Sequence, residues 1–302
     1  MALQIITTTI VGPGLGVNLG TTDSLILTST GLVGADFASG IFGGGSNQRV
    51  TIAGEIWADA YGITLGDTGA SSFGNRVTVL TGGSVYSDIS IGVKIVGQGS
   101  RVDNHGEIFG TGGIYVEGDN AIVVNYGHIS STDASSPYAA VTFYGLTSAP
   151  GTAGLLINYG TIFSANTAVY GDFDYDDIVK NFGTITGDIF QSGGADTLLN
   201  RGLLVGTVDA GFGLDLIDNR GGMIEGDVRL GDGNDRYVGT GGTINGAVYG
   251  DAGADTFFGN QNSAEVFVGG ADVDTLDFRL GGQVTLALDL SFAQNGAALG
   301  DT

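Results

Sequence analysis

The C-terminal third of the chain repeats a pattern of apolar and polar positions with a period of about 20 residues, a period typical of repeat architectures. Short alternating segments are separated by glycine, as in Asn200-Arg201-Gly202-Leu203-Leu204, which Gly206-Thr207-Val208 follows. A full rung reads Gly-x-Gly-x-Asp-x-U-x-Asn-x-Gly-x-U-x-Gly-x-Val, where U is apolar. One such coil cannot bury its own apolar face and must stack on its neighbours. The pattern therefore predicts an all-β fold, a parallel β-solenoid (β-helix or β-roll) with rungs of about 19–20 residues.

The Asn-x-Gly corner of this rung continues towards the N-terminus. It recurs at Asn181-Phe182-Gly183, Asn158-Tyr159-Gly160, Asn125-Tyr126-Gly127 and Asn104-His105-Gly106, and Gly54-Glu55-Ile56 resembles a still earlier copy. The longer spacing between Asn125 and Asn158 predicts a protruding loop near 131–150. We expect residues 1–48 to form an irregular cap that covers the first sheet edge. The expected organisation is a cap at 1–48, rungs without a metal motif at 49–176 and metal-binding rungs at 177–302.

An aspartate follows a glycine-rich turn in each C-terminal rung. Turns such as Gly231-Asp232-Gly233-Asn234-Asp235 place a carboxylate and several backbone carbonyls in one tight bend. Hard oxygen ligands of this kind suit Ca²⁺. Earlier rungs hold Gly154, Ala121 and Ser100 at the aspartate position, so calcium is expected only in the C-terminal half. The predicted metal-binding residues are Asp177, Asp196, Asp215, Gly231, Gly233, Asp235, Gly250, Gly253, Asp255, Gly269 and Asp274.

Composition and charge agree with this prediction. The 57 glycines supply corners, and the 3 prolines are few because a ladder needs its N–H groups. Residues 1–160 carry 11 acidic and 4 basic side chains, whereas 161–302 carry 21 and 6. Neighbouring aspartates about 5 Å apart repel by roughly 3 kcal/mol at an effective dielectric of about 20. We therefore expect the row to need cations in order to be ordered at neutral pH. A net charge of −22 disfavours binding to nucleic acid, because phosphate neutralisation needs clustered Lys and Arg.

These turns resemble the RTX, or hemolysin-type, calcium-binding repeats of bacterial secreted proteins. The nonapeptide Gly-Gly-x-Gly-x-Asp-x-U-x matches best at 230–238, 250–258 and 269–277, and residues 231–249 are similar to the calcium-bound β-helix repeat of bacterial RTX adhesins. The resemblance covers about 170–280 and implies that carboxylates and turn carbonyls of successive rungs share each Ca²⁺. Leu230 and Asp272 replace glycines of the motif. Only one turn per rung carries the motif, which implies a single metal row.

The same resemblance implies a secreted protein or one on the bacterial cell surface, exported through a one-step (type I) channel. No N-terminal stretch combines a basic region with a long apolar core, and cysteine is absent. No apolar run is long enough to span a membrane, so we expect no membrane span.

Two kinds of function stay open. The first is a calcium-stabilised structural, adhesive or surface-layer protein that self-associates or binds cell-envelope polysaccharide, and the alternating stretch 283–290 favours association through an open sheet edge. The alternative is a polysaccharide-active lyase, hydrolase or epimerase. For that alternative, the acidic run at 172–177 and the pair His105 and His128 are candidate acid–base groups. No compact constellation of Asp, His, Lys and Arg stands out, so no catalytic residue is predicted.

Overall fold

A computed structural model describes residues 2–67, 72–132, 139–145, 154–171, 175–259 and 265–277. Their regular structure is β-strand throughout, and the strands of successive rungs pair in parallel. The described part of the chain contains no helix of the length and apolarity that a membrane span requires. The predicted all-β parallel solenoid is confirmed.

Each rung contributes up to three strands, which are separated by corners. In chain order the strands of the first half are β1 (Leu3–Ile6), β2 (Thr9–Pro13), β3 (Val17–Leu19), β4 (Ser24–Leu27), β5 (Leu32–Asp36), β6 (Ile41–Gly43), β7 (Arg49–Ile52), β8 (Glu55–Ala58), β9 (Ile63–Leu65), β10 (Arg76–Val79), β11 (Ser84–Ser87), β12 (Ile91–Val96), β13 (Arg101–Asn104), β14 (Glu107–Gly110), β15 (Gly112–Glu117), β16 (Ala121–Asn125), β17 (His128–Ser131) and β18 (Val141–Tyr144).

Shorter strands prevail in the second half, where glycine corners are closer together. These strands are β19 (Gly154–Asn158), β20 (Thr161–Tyr170), β21 (Ile178–Asn181), β22 (Thr184–Phe190), β23 (Gly193–Gly194), β24 (Thr197–Asn200), β25 (Leu203–Val205), β26 (Val208–Asp209), β27 (Phe212–Gly213), β28 (Leu216–Asp218), β29 (Met223–Ile224), β30 (Val228–Gly233), β31 (Arg236–Val238), β32 (Thr243–Ile244), β33 (Ala247–Ala252), β34 (Thr256–Phe258), β35 (Val266–Ala271) and β36 (Thr275–Asp277).

The strands form three parallel ladders around a single core. The first ladder is a 13-stranded sheet that runs from β1 to β36 with one strand per rung. The second ladder begins with β2, β5 and β8, and the third begins with β3, β6 and β9. The long strands β20 and β22 pair in both the second and the third ladder. This arrangement encloses the apolar side chains that alternate along each strand.

Aliphatic side chains of successive rungs stack directly above one another in the core. In the second ladder Val33, Ile56 and Val85 share one register position, and all three are fully buried. In the third ladder Val208, Val228 and Val248 do the same. Burial of an aliphatic side chain contributes about 1.5–3 kcal/mol. The stacked columns therefore fix the register, because a slip by one residue would turn each column outwards.

The rung length matches the prediction only in the C-terminal half. There the hydrogen bond that joins Asp177 to Asp196 of the next rung spans 19 residues, and the bond that joins Asp215 to Asp235 spans 20 residues. Near the N-terminus the equivalent bond from Gln48 to Asn75 spans 27 residues. The next step, from Arg76 to its partner Arg101, is also longer than any step of the aspartate rungs. The N-terminal rungs thus have longer corners between similar strands.

Residues 1–48 are not irregular, so the prediction of an irregular cap is wrong in that respect. This segment contains β1 to β6, which pair in parallel with the strands of the following rungs. The segment was missed because its first-ladder corner holds Leu27 in place of asparagine, aligned with Ile52 and Val79. The predicted corner copy at Gly54 is in register, since the next residue, Glu55, pairs with Ser84.

Part of the segment near 131–150, which was predicted to be a protruding loop, belongs to the solenoid. Ser131 ends β17, and Val141–Tyr144 returns to the third ladder as β18, paired with β15 and β20. Val141 and Phe143 are buried in the core. Positions 133–138 and 146–153 lie outside the described residues.

Buried asparagines form a hydrogen-bonded ladder at the corner after the first ladder. The side-chain Nδ2 of each residue donates to Oδ1 of the next, at distances of 2.8–2.9 Å. The ladder contains Asn104, Asn125, Asn158, Asn181, Asn200 and Asn219. Most of these amides also donate to a backbone carbonyl after the corner glycine, such as Thr184 O for Asn158. The Asn-x-Gly motif is therefore a device that closes one corner and joins it to the next rung.

An exposed stack of rings covers the same corner on its outer side. His105 stacks on Tyr126 with ring centroids 4.6 Å apart, Tyr126 on Tyr159 at 4.9 Å, and Tyr159 on Phe182 at 5.1 Å. The interplanar angles are 7°, 9° and 11°. Each stacked pair contributes about 0.5–1.5 kcal/mol beyond its buried area. The x position of Asn-x-Gly thus stabilises the corner through its neighbours in the stack.

Candidate metal site

The predicted aspartates lie in a single row at the corner between the third and first ladders. Each residue immediately precedes a strand of the first ladder. The row comprises Asp177, Asp196, Asp215, Asp235, Asp255 and Asp274. The first five have only 1–2 % of their surface exposed, and Asp274 is half-buried. The repeat therefore places six carboxylic acids of successive rungs along the inside of one corner.

In five of the six aspartates, Asp196 to Asp274, one carboxyl oxygen joins two rungs. Oδ1 of Asp215 accepts the backbone N–H of Asp196 at 2.7 Å, and Oδ1 of Asp235 accepts that of Asp215 at 2.8 Å. The same bond recurs at Asp196, Asp255 and Asp274, with distances of 2.6–3.0 Å. The aspartates thus satisfy a row of backbone donors that the turn leaves unpaired.

The second oxygen of four of these carboxyls is buried without a hydrogen-bond donor. The four atoms are Oδ2 of Asp196, Asp215, Asp235 and Asp255. An ionised carboxylate oxygen that is removed from water and left unpartnered is costly. A proton on that oxygen or a bound cation would relieve the cost. These oxygens are the feature of the row that most directly indicates a ligand.

The pKa values of the row follow from this burial. Burial, opposed by the backbone hydrogen bond and increased by neighbouring carboxylates, raises the pKa of Asp196 to about 9. Burial likewise raises the pKa of Asp215 to about 6, and those of Asp235 and Asp255 to about 7. Desolvation is thus the largest cause, ahead of the repulsion between carboxylates on which the sequence argument relied.

Asp218 shows the opposite behaviour because it has cationic partners. It is also buried, and burial alone would raise its pKa. Hydrogen bonds from the Arg220 and Arg201 guanidinium groups outweigh that effect and hold its pKa below the ordinary value. Among the described residues, no ion pair joins an arginine or a lysine to an aspartate of the row.

The predicted turn glycines are required by the close approach of successive rungs. A Cβ on Gly233 would lie 1.7 Å from Gly213 O, and one on Gly253 would lie 1.6 Å from Gly233 O. Gly231, with φ of +100°, would place a Cβ 1.9 Å from Gly211 O. These glycines are therefore needed for stacking, whether or not their carbonyls bind a metal.

Gly250 and Gly269 have a different role, because they face carboxyl groups. The position that a Cβ on Gly250 would take is 2.2 Å from Asp255 Oδ2 and 2.2 Å from Gly269 O. The equivalent position on Gly269 is 2.2 Å from Asp274 Oδ2. Two oxygens thus border a small space that any other residue would fill. In the preceding rungs the aligned positions hold Ala210 and the buried side chain of Leu230.

The oxygen atoms at this corner are of the chemical type that binds Ca²⁺. Among the described residues no three His, Cys, Asp or Glu side chains come together as a metal-binding group. A cation at this corner would therefore be bound by one or two carboxylates together with backbone carbonyls, a set of oxygen ligands that Ca²⁺ accepts. The buried oxygens without a donor and the space beside Gly250 both favour this assignment. Asp255 Oδ2 and Gly269 O are the two oxygens that border the space beside Gly250.

Two earlier rungs use the same corner position, which the sequence analysis missed. Asp23 Oδ1 accepts the backbone N–H of Ala2 at 2.7 Å, and its Oδ2 accepts that of Gly20 at 3.2 Å. The other of these rungs uses a neutral side chain. Asn75 Oδ1 accepts the backbone N–H of Gln48 at 3.0 Å, as the aspartates do for their preceding rung. Its Nδ2 donates to Gly45 O at 2.9 Å and Val96 O at 3.1 Å. The signal available in the sequence was a polar residue directly before β4, β7, β10 and β13, namely Asp23, Gln48, Asn75 and Ser100.

The groups considered for catalysis do not come together. The ring of His105 stacks on Tyr126, whereas His128 Nδ1 lies 2.6 Å from Thr161 Oγ1 on the second ladder. Of the acidic run, 172–174 lie outside the described residues, and Asp177 belongs to the buried row. The aspartates with raised pKa in that row are buried and so do not line a cleft.

Comparison with family models, with curated proteins and with solved structures found no match to this chain.

Proposed function

We propose that this protein is a secreted, calcium-stabilised β-solenoid with a structural, adhesive or surface-layer role. The observation that carries the proposal is the row of buried Oδ2 atoms of Asp196, Asp215, Asp235 and Asp255, which have no hydrogen-bond donor. Ca²⁺ supplied outside the cell would bind these oxygens together with turn carbonyls. The RTX-like turns support the proposed bacterial, extracellular setting.

Calcium would act here by compensating the charge of the row. Oδ1 of five of the six aspartates, Asp196 to Asp274, already accepts a backbone N–H, so the metal need not organise the corner from a disordered state. Its contribution would be to replace the protons that the raised pKa values otherwise retain. The chain itself supplies the register that keeps six carboxyls in line.

Self-association or binding to cell-surface polysaccharide is the proposed way in which the solenoid acts. Among the described strands of the first ladder β1 is the outermost, and it exposes 57 % of Leu3 and 58 % of Ile5. Apolar side chains on an open strand edge favour pairing with another chain. The stretch 283–290, predicted to be such an edge, lies outside the described residues.

Calorimetric titration of the chelator-treated protein with Ca²⁺ and with Mg²⁺ tests the proposal. We expect saturable Ca²⁺ binding, release of protons and a higher unfolding temperature, with a weaker response to Mg²⁺ because it prefers octahedral geometry and keeps its water. Sedimentation in millimolar Ca²⁺ should show assemblies that chelator dissociates. Absence of any calcium response would refute the metal assignment, and turnover of a polysaccharide by a monomer would favour the enzyme alternative.

A further inference from the structure

A cleft with exposed aromatic side chains lies on the second ladder, at the opposite end of the described chain from the aspartate row. Its volume is about 430 Å³, within the range of roughly 300–1,000 Å³ that is usual for small-molecule sites. The residues that line it include Gly34, Asp36, Glu55, Trp57, Asp59 and Tyr86. None of the lining residues is Lys or Arg.

The floor of the cleft is an aromatic surface built by the register of three rungs. Trp57 pairs with Gly34 on one side and with Tyr86 on the other. The rings of Trp57 and Tyr86 have centroids 4.5 Å apart and an interplanar angle of 39°. Trp57 is 52 % exposed although it is the chain's only tryptophan. Gly34 leaves the Trp57 ring uncovered, because the rung beside it carries no side chain at that position.

Carboxylates border this aromatic surface on both sides. Asp59 and Asp88 continue the ladder, with their N–H groups donating to Ala35 O and Ala58 O at 3.1 Å and 2.9 Å. Asp36 stands one rung before Asp59, at the end of β5. Glu55 lies on the other side, two residues before Trp57 on the same outward face. A cationic ligand would therefore meet negative charge next to an exposed aromatic face.

One edge of the cleft is held in an unusual backbone conformation. Phe37 has φ of +63°, and its side chain is 89 % exposed. Its N–H donates to Asp59 Oδ2 at 2.9 Å, which fixes the edge to the acidic side. A bulky residue at positive φ is strained, and such strain clusters at ligand sites.

We propose that the cleft binds a glycan unit that carries a protonated amine. The apolar face of an amino sugar stacks on Trp57, and its ammonium group binds Asp36, Asp59 or Glu55. Both the aromatic face and the carboxylates attract a cation, and the C–H face of a pyranose ring can pack on the Trp57 ring beside the tilted ring of Tyr86. This inference rests on the glycan-binding part of the proposed function and is independent of the calcium row.

Tryptophan fluorescence reports the cleft directly, because Trp57 is the only tryptophan. The full-length protein, saturated with Ca²⁺, is titrated with a β-1,4-linked glucosamine hexamer. The N-acetylated hexamer, cellohexaose and a lysine hexamer serve as probes of acetylation, of a neutral sugar and of charge alone. We expect a saturable change in emission with the glucosamine hexamer, and affinities at least about tenfold lower for the other three, a difference of about 1.4 kcal/mol.

Matched variants assign any binding to the cleft. The double variant Asp36→Asn/Glu55→Gln should reduce affinity for the glucosamine hexamer at least about tenfold, whereas Glu225→Gln, another exposed acid, should not change it. Calorimetry of Trp57→Ala should show loss of binding, and Phe163→Ala, which removes an exposed ring from the same face of the second ladder, should retain it.

The results that would overturn the inference are distinct from those that would overturn the calcium row. No emission change with the glucosamine hexamer would exclude this ligand class. Equal affinity for the lysine hexamer, or binding that persists in Trp57→Ala, would show only general attraction to an acidic protein. Equal affinity for cellohexaose would exclude recognition of the amine. In each of these cases the stabilisation by Ca²⁺ would be unaffected.

Discussion

The amide oxygen of Asn75 accepts the backbone N–H of Gln48 from the preceding rung at 3.0 Å. In the C-terminal rungs the carboxyl groups of the aspartate row make the same bond. The two kinds of side chain differ in their second atom. The Asn75 amide nitrogen donates to two carbonyls, whereas the second oxygen of Asp255 is a further acceptor without a donor. A neutral rung and an acidic rung can therefore be compared within one molecule.

The substitution Asp255→Asn should stabilise the metal-free protein and weaken its response to calcium. An amide at this position retains the bond to the Asp235 N–H and supplies a donor towards oxygens such as Gly269 O. We expect the free energy of unfolding in chelator to rise by about 1–3 kcal/mol, the cost of an unsatisfied buried group. Denaturant titrations with chelator and with Ca²⁺ measure both effects.

The control for this substitution is Asp232→Asn, which removes an exposed carboxylate from a nearby turn. Its effect on stability should stay within about 0.5 kcal/mol. A destabilised Asp255→Asn with an unchanged calcium response would contradict the assigned role of Asp255 Oδ2.

Calcium removal should loosen the acidic rungs and leave the neutral ones intact. Two backbone amides report on the two kinds of rung. The Asp235 N–H donates to Asp255 Oδ1 in an acidic rung, and the Gln48 N–H donates to Asn75 Oδ1 in a neutral rung. Above the raised pKa of about 7, loss of the cation leaves Asp255 ionised and uncompensated. Hydrogen exchange of the Asp235 amide should accelerate at least about tenfold in chelator, and that of Gln48 should change little. Equal changes at both amides would argue for global unfolding instead.

The stability of the metal-free protein should fall as the pH rises. The folded-state pKa values of Asp215, Asp235, Asp255 and Asp196 are raised to about 6, 7, 7 and 9. A group with a raised pKa contributes its full stability below its unfolded pKa and loses that contribution as the pH passes the folded value. Unfolding temperatures in chelator should therefore decrease from about pH 4, the unfolded pKa of an aspartate, to about pH 9. Saturating Ca²⁺ should flatten this dependence, and a flat profile in chelator would contradict the raised values.

The sequence predicted the fold because each C-terminal rung repeats the same local signals. Glycine at close contacts, aspartate before the first ladder and Asn-x-Gly after it recur at a nearly constant step, and all three fall in register in the structure. The N-terminal rungs lack that regularity. Their corners carry Leu27, Ile52 and Val79, and their length varies, so no period identifies them.

The cleft could not be predicted for a related reason. Trp57 and Tyr86 are far apart in the sequence, at a spacing that matches no repeat of the C-terminal rungs. Only the pairing of β8 with β11 brings the two rings together. Likewise, the burial of Asp255 Oδ2 depends on packing within the corner, which a row of aspartates in the sequence does not specify.

Replacing an asparagine in the middle of the ladder should destabilise the protein more than replacing the one at its N-terminal end. Asn158→Val removes two bonds of the ladder, the one that its Oδ1 accepts from Asn125 Nδ2 and the one that its Nδ2 donates to Asn181 Oδ1. Asn104→Val removes only one bond of the ladder, the donor to Asn125 Oδ1, because its neighbour towards the N-terminus is already Val79. Both substitutions also remove bonds from the amide to the backbone of the corner. Asn158→Val thus removes one ladder bond more than Asn104→Val. Because a hydrogen bond contributes about 0.5–1.5 kcal/mol, Asn158→Val should lower the free energy of unfolding by about 1 kcal/mol more than Asn104→Val. Denaturant titration in saturating Ca²⁺ compares the two variants, and equal losses would show that the amides act independently of their neighbours in the stack.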